Sequence, residues 1–376
     1  MKKLIFLPLF ILGVFIACNE ETPKYEINGT VVGDMNGKTV YLKQLDNMRP
    51  ATTIDSAVIE NGIFIMKGSI TSPDVYNISV KDEKPNTVLF VENLPMQVTL
   101  DANEVQNSIA VGSPLNDLYA GYLKGGVDYR AKIQDVNKRL REARQAQTDK
   151  ILTPETKRQF TLDYDKASDN YRNYQYEFIN DHPNSIVSAY VLRTIALNLK
   201  PEQVENALAK FDSIIGKSYY IRSVKDDLER MKRVMTGQKF VDLKMPDVEG
   251  KEIALSDYVG KNKYVMVDFW ASWCPDCLEE NPILTSLYSK YKSKGFEIVG
   301  VSLDRDKENW VNRIKKDKLV WPQMSDLKAW NSEGSYLYNI KFIPGNVLID
   351  ETGTIIAKDV YDEALIAKLA ELFAGN

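Results

Sequence analysis

Between residues 25 and 111, apolar and polar positions alternate in short runs: "YEINGTVV", "KTVYLKQL", "GIFIMKGSI", "DVYNISV", "TVLFVE" and "MQVTLDA". Val, Ile, Tyr, Phe and Thr dominate these runs, and turn signals such as Asn36-Gly37 and Asn61-Gly62 separate them. A two-residue period bounded by such turns predicts strands, and their close spacing predicts a small all-β sandwich or barrel. Across residues 113–236 the period lengthens. "YRAKIQDVNKRLREARQAQ" carries both signs of charge and no Gly or Pro, which predicts a solvated helix. "TPETKRQFTLDYDKASDNYRNYQYEFIND" opens with Thr153 as N-cap and Pro154 in the first turn. "SIVSAYVLRTIALNL" is apolar enough to be the buried helix of this region, and "KPEQVENALAKFDSI" repeats the same start signal. From residue 237 strand and helix patterns alternate. "YVMVDFWA", "GFEIVGVSLD", "PGNVLID" and "TIIAKDV" read as strands, with helices over the run to Tyr291, over "KENWVNRIKKD" and over "YDEALIAKLAELFAG", which ends on Gly375. That alternation predicts an α/β layer.

The first residues have a different character. "MKKLIFLPLFILGVFIAC" sets two lysines before an apolar stretch and a cysteine. As a helix, residues 4–17 would span about 21 Å at 1.5 Å per residue. That is short of the ~30 Å hydrocarbon core of a bilayer. A basic start and a short apolar run fit a secretory signal over residues 1–17. Cys18, directly after Ala17, resembles the lipobox cysteine of bacterial lipoproteins. The resemblance implies lipid on Cys18, a tether over residues 18–24 and a place on the bacterial cell envelope facing the periplasm.

Composition narrows the chemistry. The chain has 376 residues, with 48 Lys+Arg against 52 Asp+Glu. A net charge of −4 gives no basic footprint for nucleic acid. There is one histidine, His182, in "FINDHPNS" between two helical stretches, and it reads as a loop residue. Ser-His-Asp and Cys-His catalysis would have to share it. Of three cysteines, Cys18 is claimed by the anchor, leaving Cys274 and Cys277 in "FWASWCPDCLEENP".

Three readings of this pair compete. A zinc site needs four ligands, and the chain has no second C-x-x-C and only one His. A structural disulfide at this spacing closes a tiny loop and removes little chain entropy. A redox pair gives the spacing a purpose. At a helix N-terminus the first sulfur is exposed and the second lies within the first turn. The partial positive charge there favours thiolate at Cys274. Pro275 suits the first helical position, whose N–H lacks an intrahelical partner anyway. Trp273 would shield the outer side.

"VDFWASWCPDCLEENP" resembles the thioredoxin superfamily, most closely the membrane-anchored thiol–disulfide reductases of the TlpA/ResA group. The resemblance covers residues 238–376. "FVDLKMPDVEGKEIALSDYVGK" is similar to the N-terminal hairpin of that group, and "YNIKFIPGNVLID" to its cis-proline loop. It implies a C-terminal thioredoxin-like α/β fold over 237–376, preceded by a helical region over 113–236. Before that comes a small β-rich domain of unknown function over 25–112. It also implies site roles. Cys274 attacks a substrate disulfide and Cys277 resolves the mixed disulfide. Pro344 is the cis-proline facing the pair, and the backbone of Ile343 pairs with substrate as an added strand, with Trp273 alongside. Asp268, six residues before Cys274, matches the buried Asp that relays the proton of the second cysteine. Glu280, followed by Pro282, matches the group's tuning Glu. Gly345 departs from the family's usual Thr. The implied cofactor is none beyond the redox-active disulfide. The implied partners are protein thiol or disulfide substrates and an upstream membrane electron donor. Asp276, Glu279 and Glu280 put three carboxylates in one turn, opposing the helix dipole. A moderately lowered Cys274 pKa and a reducing pair are therefore expected. Two other functions are weighed. A thiol peroxidase would use a "P-x-x-x-T-x-x-C" loop, where this chain has "FWASW" before Cys274. A non-enzymatic envelope binding protein would use the redox domain only as an accessory.

Overall fold

The computed structural model describes residues 24–44, 52–84, 86–146 and 152–374. The expected signal, Cys18 and Gly375 lie outside them. Among the described residues no helix is long and apolar enough to cross a membrane. The chain divides into two compact units between Leu152 and Thr153.

Among its described residues the first unit holds eight strands: β1 (Tyr25–Val32), β2 (Thr39–Gln44), β3 (Thr53–Val58), β4 (Ile63–Gly68), β5 (Asp74–Val80), β6 (Asn86–Val91), β7 (Pro95–Asp101) and β8 (Ile109–Val111). They form two four-stranded sheets, ordered β4-β1-β7-β8 and β3-β2-β5-β6. The alternation in the sequence sets which face is buried. Tyr25, Ile27 and Val31 of β1 join Leu42, Ile78 and Leu89 of the other sheet in one core. This is the sandwich of the two expected forms. Helices α1 (Pro114–Gly125) and α2 (Val127–Gln145) follow.

The second unit opens with helices α3 (Pro154–Asp181), α4 (Ile186–Ile195), α5 (Pro201–Leu208) and α6 (Tyr219–Arg233). The Thr153 hydroxyl accepts the Thr156 N–H, so the cap read from the sequence forms. His182 closes α3 at its C-terminus and packs on Phe178. In α4, Val187, Val191 and Leu192 are buried. Beside them Asp227 of α6, also buried, pairs with Arg230 and lies 3.5 Å from Arg193. Arg230 also stacks 4.8 Å from the Tyr336 ring centroid. Asp227→Ala would leave two guanidinium groups without their carboxylate. It is expected to cost about 3–5 kcal/mol, read from denaturant midpoints at constant slope.

The rest of the unit is a five-stranded sheet with helices. Its elements are hairpin strands β9 (Lys244–Pro246) and β10 (Glu252–Ala254), then β11 (Tyr264–Trp270), α7 (Pro275–Tyr291), β12 (Phe296–Ser302) and α8 (Lys307–Asp317). They continue with β13 (Gln323–Met324), α9 (Glu333–Leu337), β14 (Gly345–Asp350), β15 (Ile355–Lys358) and α10 (Asp362–Phe373). The sheet order is β13-β12-β11-β14-β15, with β11, β12 and β13 parallel and β14 antiparallel to β11. The central strands read as near-continuous apolar runs because both of their faces are covered. Leu365, Leu369 and Phe373 of α10 recur every fourth residue, and Phe373 stacks on Tyr291.

Candidate active site

Strand register assembles the site. β11 runs antiparallel to β14, with Phe269 opposite Gly345. The end of β11, which leads to Cys274, therefore meets the start of β14, which follows Pro344. The Ile343-Pro344 peptide is cis. Cys274 Sγ lies 3.7 Å from the Ile343 carbonyl oxygen, across 69 positions of sequence.

Cys274 is the N-cap of α7, and Pro275 occupies the first turn. The two cysteines are bonded to each other. The Cys277 N–H points at Cys274 Sγ at 3.1 Å. This is one of the helix's unpaired donors, so it would stabilise a thiolate on the same atom once the bond is reduced. The expectation of an exposed first sulfur needs adjustment. Cys274 is only 4% exposed and Cys277 1%. The residue that faces solvent is Trp273, at 53%. Asp304 holds the connection between β11 and α7 in place. Its carboxylate accepts from the Ser272 N–H at 3.0 Å and the Ser272 hydroxyl at 2.6 Å.

Asp268 sits on β11 between Gly300 and Asn346, and it is buried. Burial raises its pKa to about 7. Glu280 lies three residues after Cys277 on the same buried face of α7 and is 5% exposed. Burial, then the charge of Asp268, raises its pKa to about 8, and Lys157 offsets part of that rise. Among the described residues, Glu280 Oε1 has no hydrogen-bond partner. Pro282 stands inside α7 and cannot donate to the backbone a turn earlier.

The three carboxylates of this turn thus part company. Glu280 is buried, and its raised pKa makes it largely neutral at pH 7. Glu279 pairs with Lys157 of α3, Nζ to Oε2 at 3.1 Å. Asp276 remains exposed between the cysteines. Asp276→Asn is expected to lower the pH at which Cys274 ionises by about half a unit, the size of one screened charge at short range. The rate of alkylation against pH would measure it.

Two contacts had no signal in the sequence beyond their residue type. One is the Asp304 clamp. The other is Tyr361, whose hydroxyl is 3.0 Å from the Pro344 carbonyl and 3.1 Å from Asp359 Oδ1, so it can donate to either. Burial raises the Tyr361 pKa, which keeps the phenol protonated as a donor. At Gly345 a Cβ would meet the Phe342 carbonyl at 3.3 Å. The turn behind Pro344 is therefore tight where the family usually carries Thr.

The arrangement defines a thioredoxin-like thiol–disulfide oxidoreductase. Comparison with known proteins places it more closely. Residues 236–358 match the AhpC/TSA family and residues 25–119 a domain of unknown function, DUF4369. A thiol-disulfide oxidoreductase ResA of Bacillus cereus is 32% identical over 131 residues, covering 35% of this chain and 73% of the relative. ResA of Oceanobacillus iheyensis is 36% identical over 137 residues, covering 36% of this chain and 68% of the relative. A solved thiol-disulfide oxidoreductase from Bacteroides fragilis NCTC 9343 is 38% identical, covering 37% of this chain and 100% of that one, with a TM-score of 0.34. The chain belongs to the ResA-like thiol–disulfide oxidoreductases.

Proposed function

We propose that this protein is an exported, lipid-anchored reductase of protein disulfides. The observation that carries the redox step is the placement of Cys274 Sγ. It receives the Cys277 N–H at 3.1 Å and faces the Ile343 carbonyl at 3.7 Å. The first contact favours thiolate, and the second marks where a substrate backbone can run as an added strand. In the reduced enzyme the Cys274 thiolate attacks one sulfur of a substrate disulfide. A Cys274–substrate bond forms, and the other substrate sulfur leaves as thiolate and takes a proton. Cys277 then loses its proton and attacks Cys274. The enzyme disulfide forms and the second substrate thiol is released. Two electrons pass from enzyme to substrate, and the two substrate thiols take up the proton of Cys277 and one from solvent, the one Cys274 had already released. An upstream membrane dithiol returns the electrons.

Asp268 and Glu280 have the chemistry for the proton of Cys277. Both are buried, with pKa values raised towards neutrality, and Glu280 is one helical turn from that sulfur. The anchor reading rests on the basic start, short apolar run and Cys18 of the sequence. It places the protein on the envelope, facing the periplasm. Insulin precipitation on disulfide reduction, run beside a peroxide-consumption assay, separates the activities. Insulin reduction without peroxide turnover is expected; rapid peroxide turnover with intact insulin would favour a thiol peroxidase.

A further inference from the structure

A cavity of about 730 Å³ is lined in part by Trp273, the residue next to Cys274. Its second aromatic wall is Trp330, 45% exposed, with its ring centroid 6.3 Å from that of Trp273 and edge-on to it. The opposite wall is one face of α8. Asn309, Asn312, Arg313 and Lys316 recur there at three- and four-residue spacing, and Arg305 precedes the helix. Trp310, on the other side of α8, is buried in the core.

The charges of this cavity are uneven in their availability. Two carboxylates line it, and both are committed. Asp304 is buried against Ser272 and Ser302, and Asp306 caps α8 by accepting the Asn309 N–H at 2.8 Å. Of the cations, Arg313 lies 3.4 Å from Asp317. Among the described residues, no carboxylate lies within ion-pair distance of Arg305 or Lys316. Across the site, Lys341 and Phe342 stand exposed on the loop that carries Ile343. Asp276 is exposed beside the sulfurs, on the α7 side.

We propose that this cavity is the specificity groove of the enzyme, and that it selects disulfides whose cysteines are flanked by acidic residues in an extended segment. The proposal rests on the disulfide-reductase reading above. A polypeptide fits better than a small anion because the lining runs from Trp273, the residue before Cys274, along one face of α8, and sets two indole faces beside its cations. Aromatic faces there take the substrate's apolar side chains, while Arg305 and Lys316 take its carboxylates. An attraction between exposed charges raises the encounter rate and is screened by salt.

The test uses two disulfide-bridged peptides with the same core, one flanked by glutamates and the other by lysines. The full chain is reduced first, and the ratio of their kcat/KM values is read on each enzyme preparation. The ratio is indifferent to the amount of folded enzyme. At low ionic strength the glutamate peptide is expected to be favoured about tenfold. That preference should shrink towards unity in 1 M salt and invert in the Arg305→Glu, Lys316→Glu double variant. Equal reduction of both peptides at low salt would overturn the groove's role while leaving the reductase standing. So would a preference that neither salt nor the double variant moves. Reduction of neither peptide would overturn the reductase reading and the groove with it.

Discussion

Cys277→Ser is expected to halt the reaction halfway, with the substrate covalently held on Cys274. The first attack needs only the Cys274 thiolate, and the donor that stabilises it is the backbone N–H of residue 277, which serine retains. The second step needs a thiolate at position 277, and a serine hydroxyl does not supply one at neutral pH. Turnover should fall by at least about 10³-fold, as for loss of a nucleophile that acts as part of a unit. Non-reducing gels and intact mass should then show adducts that thiol reagents release. Cys274→Ser should lose turnover to the same degree without forming adducts. The placement of the two sulfurs explains the difference: Cys274 caps α7 and lies 3.7 Å from the Ile343 carbonyl, whereas Cys277 lies inside the first turn, where its one sulfur partner is Cys274. Adducts of equal yield in both variants would remove the assigned order of attack.

The second large effect lies in the two buried acids. Asp268→Asn and Glu280→Gln each remove a proton acceptor near Cys277, and each is expected to slow resolution by about 10²-fold or more at neutral pH. The pH profile separates this from a packing defect. In the native protein the rate should rise through the range near 7 to 8, where these carboxyls ionise. Each variant should lose part of that rise. The same raised values predict a stability signature with a definite sign. Between the ordinary carboxylate range near 4 and the raised values, the folded protein holds protons that the unfolded chain has released. Stability therefore falls as pH rises through that window and levels off above it. Replacing either acid by its amide should flatten the decline, measured by denaturant unfolding at several pH values. A slope equal to that of the native protein in both variants would show that neither carboxyl carries the proton.

Much of the redox domain was legible in the chain, because short-range rules set its landmarks. A buried apolar run, then Pro275 and an acidic turn, is enough to place Cys274 at a helix start. The hairpin of β9 and β10 and the cis Ile343-Pro344 bond were legible through family resemblance. Features made by tertiary contact were not. Glu279 and Glu280 are neighbours in sequence, yet one pairs with Lys157, 122 positions upstream, and the other is buried beside Asp268. No periodicity distinguishes them, and only packing of α7 against the sheet does. The cover over Cys274 and the Tyr361 contact to the Pro344 carbonyl likewise depend on strand register. The short β13 and α9 escaped for a different reason, being too brief to show a period.

The reduction potential of the Cys274–Cys277 pair tests the reductase most directly. Strong oxidants draw their power from a thiolate stabilised far below the usual thiol range, near pKa 3.5. Here the helix N–H favours thiolate, but the exposed carboxylate of Asp276 between the two cysteines opposes it. Equilibration against glutathione or dithiothreitol, followed by mass analysis of alkylated protein, is expected to give a value below about −200 mV, towards the thioredoxin range. A value near about −120 mV, where the strong oxidants lie, would contradict a reductase and reverse the direction of electron flow assigned to this site.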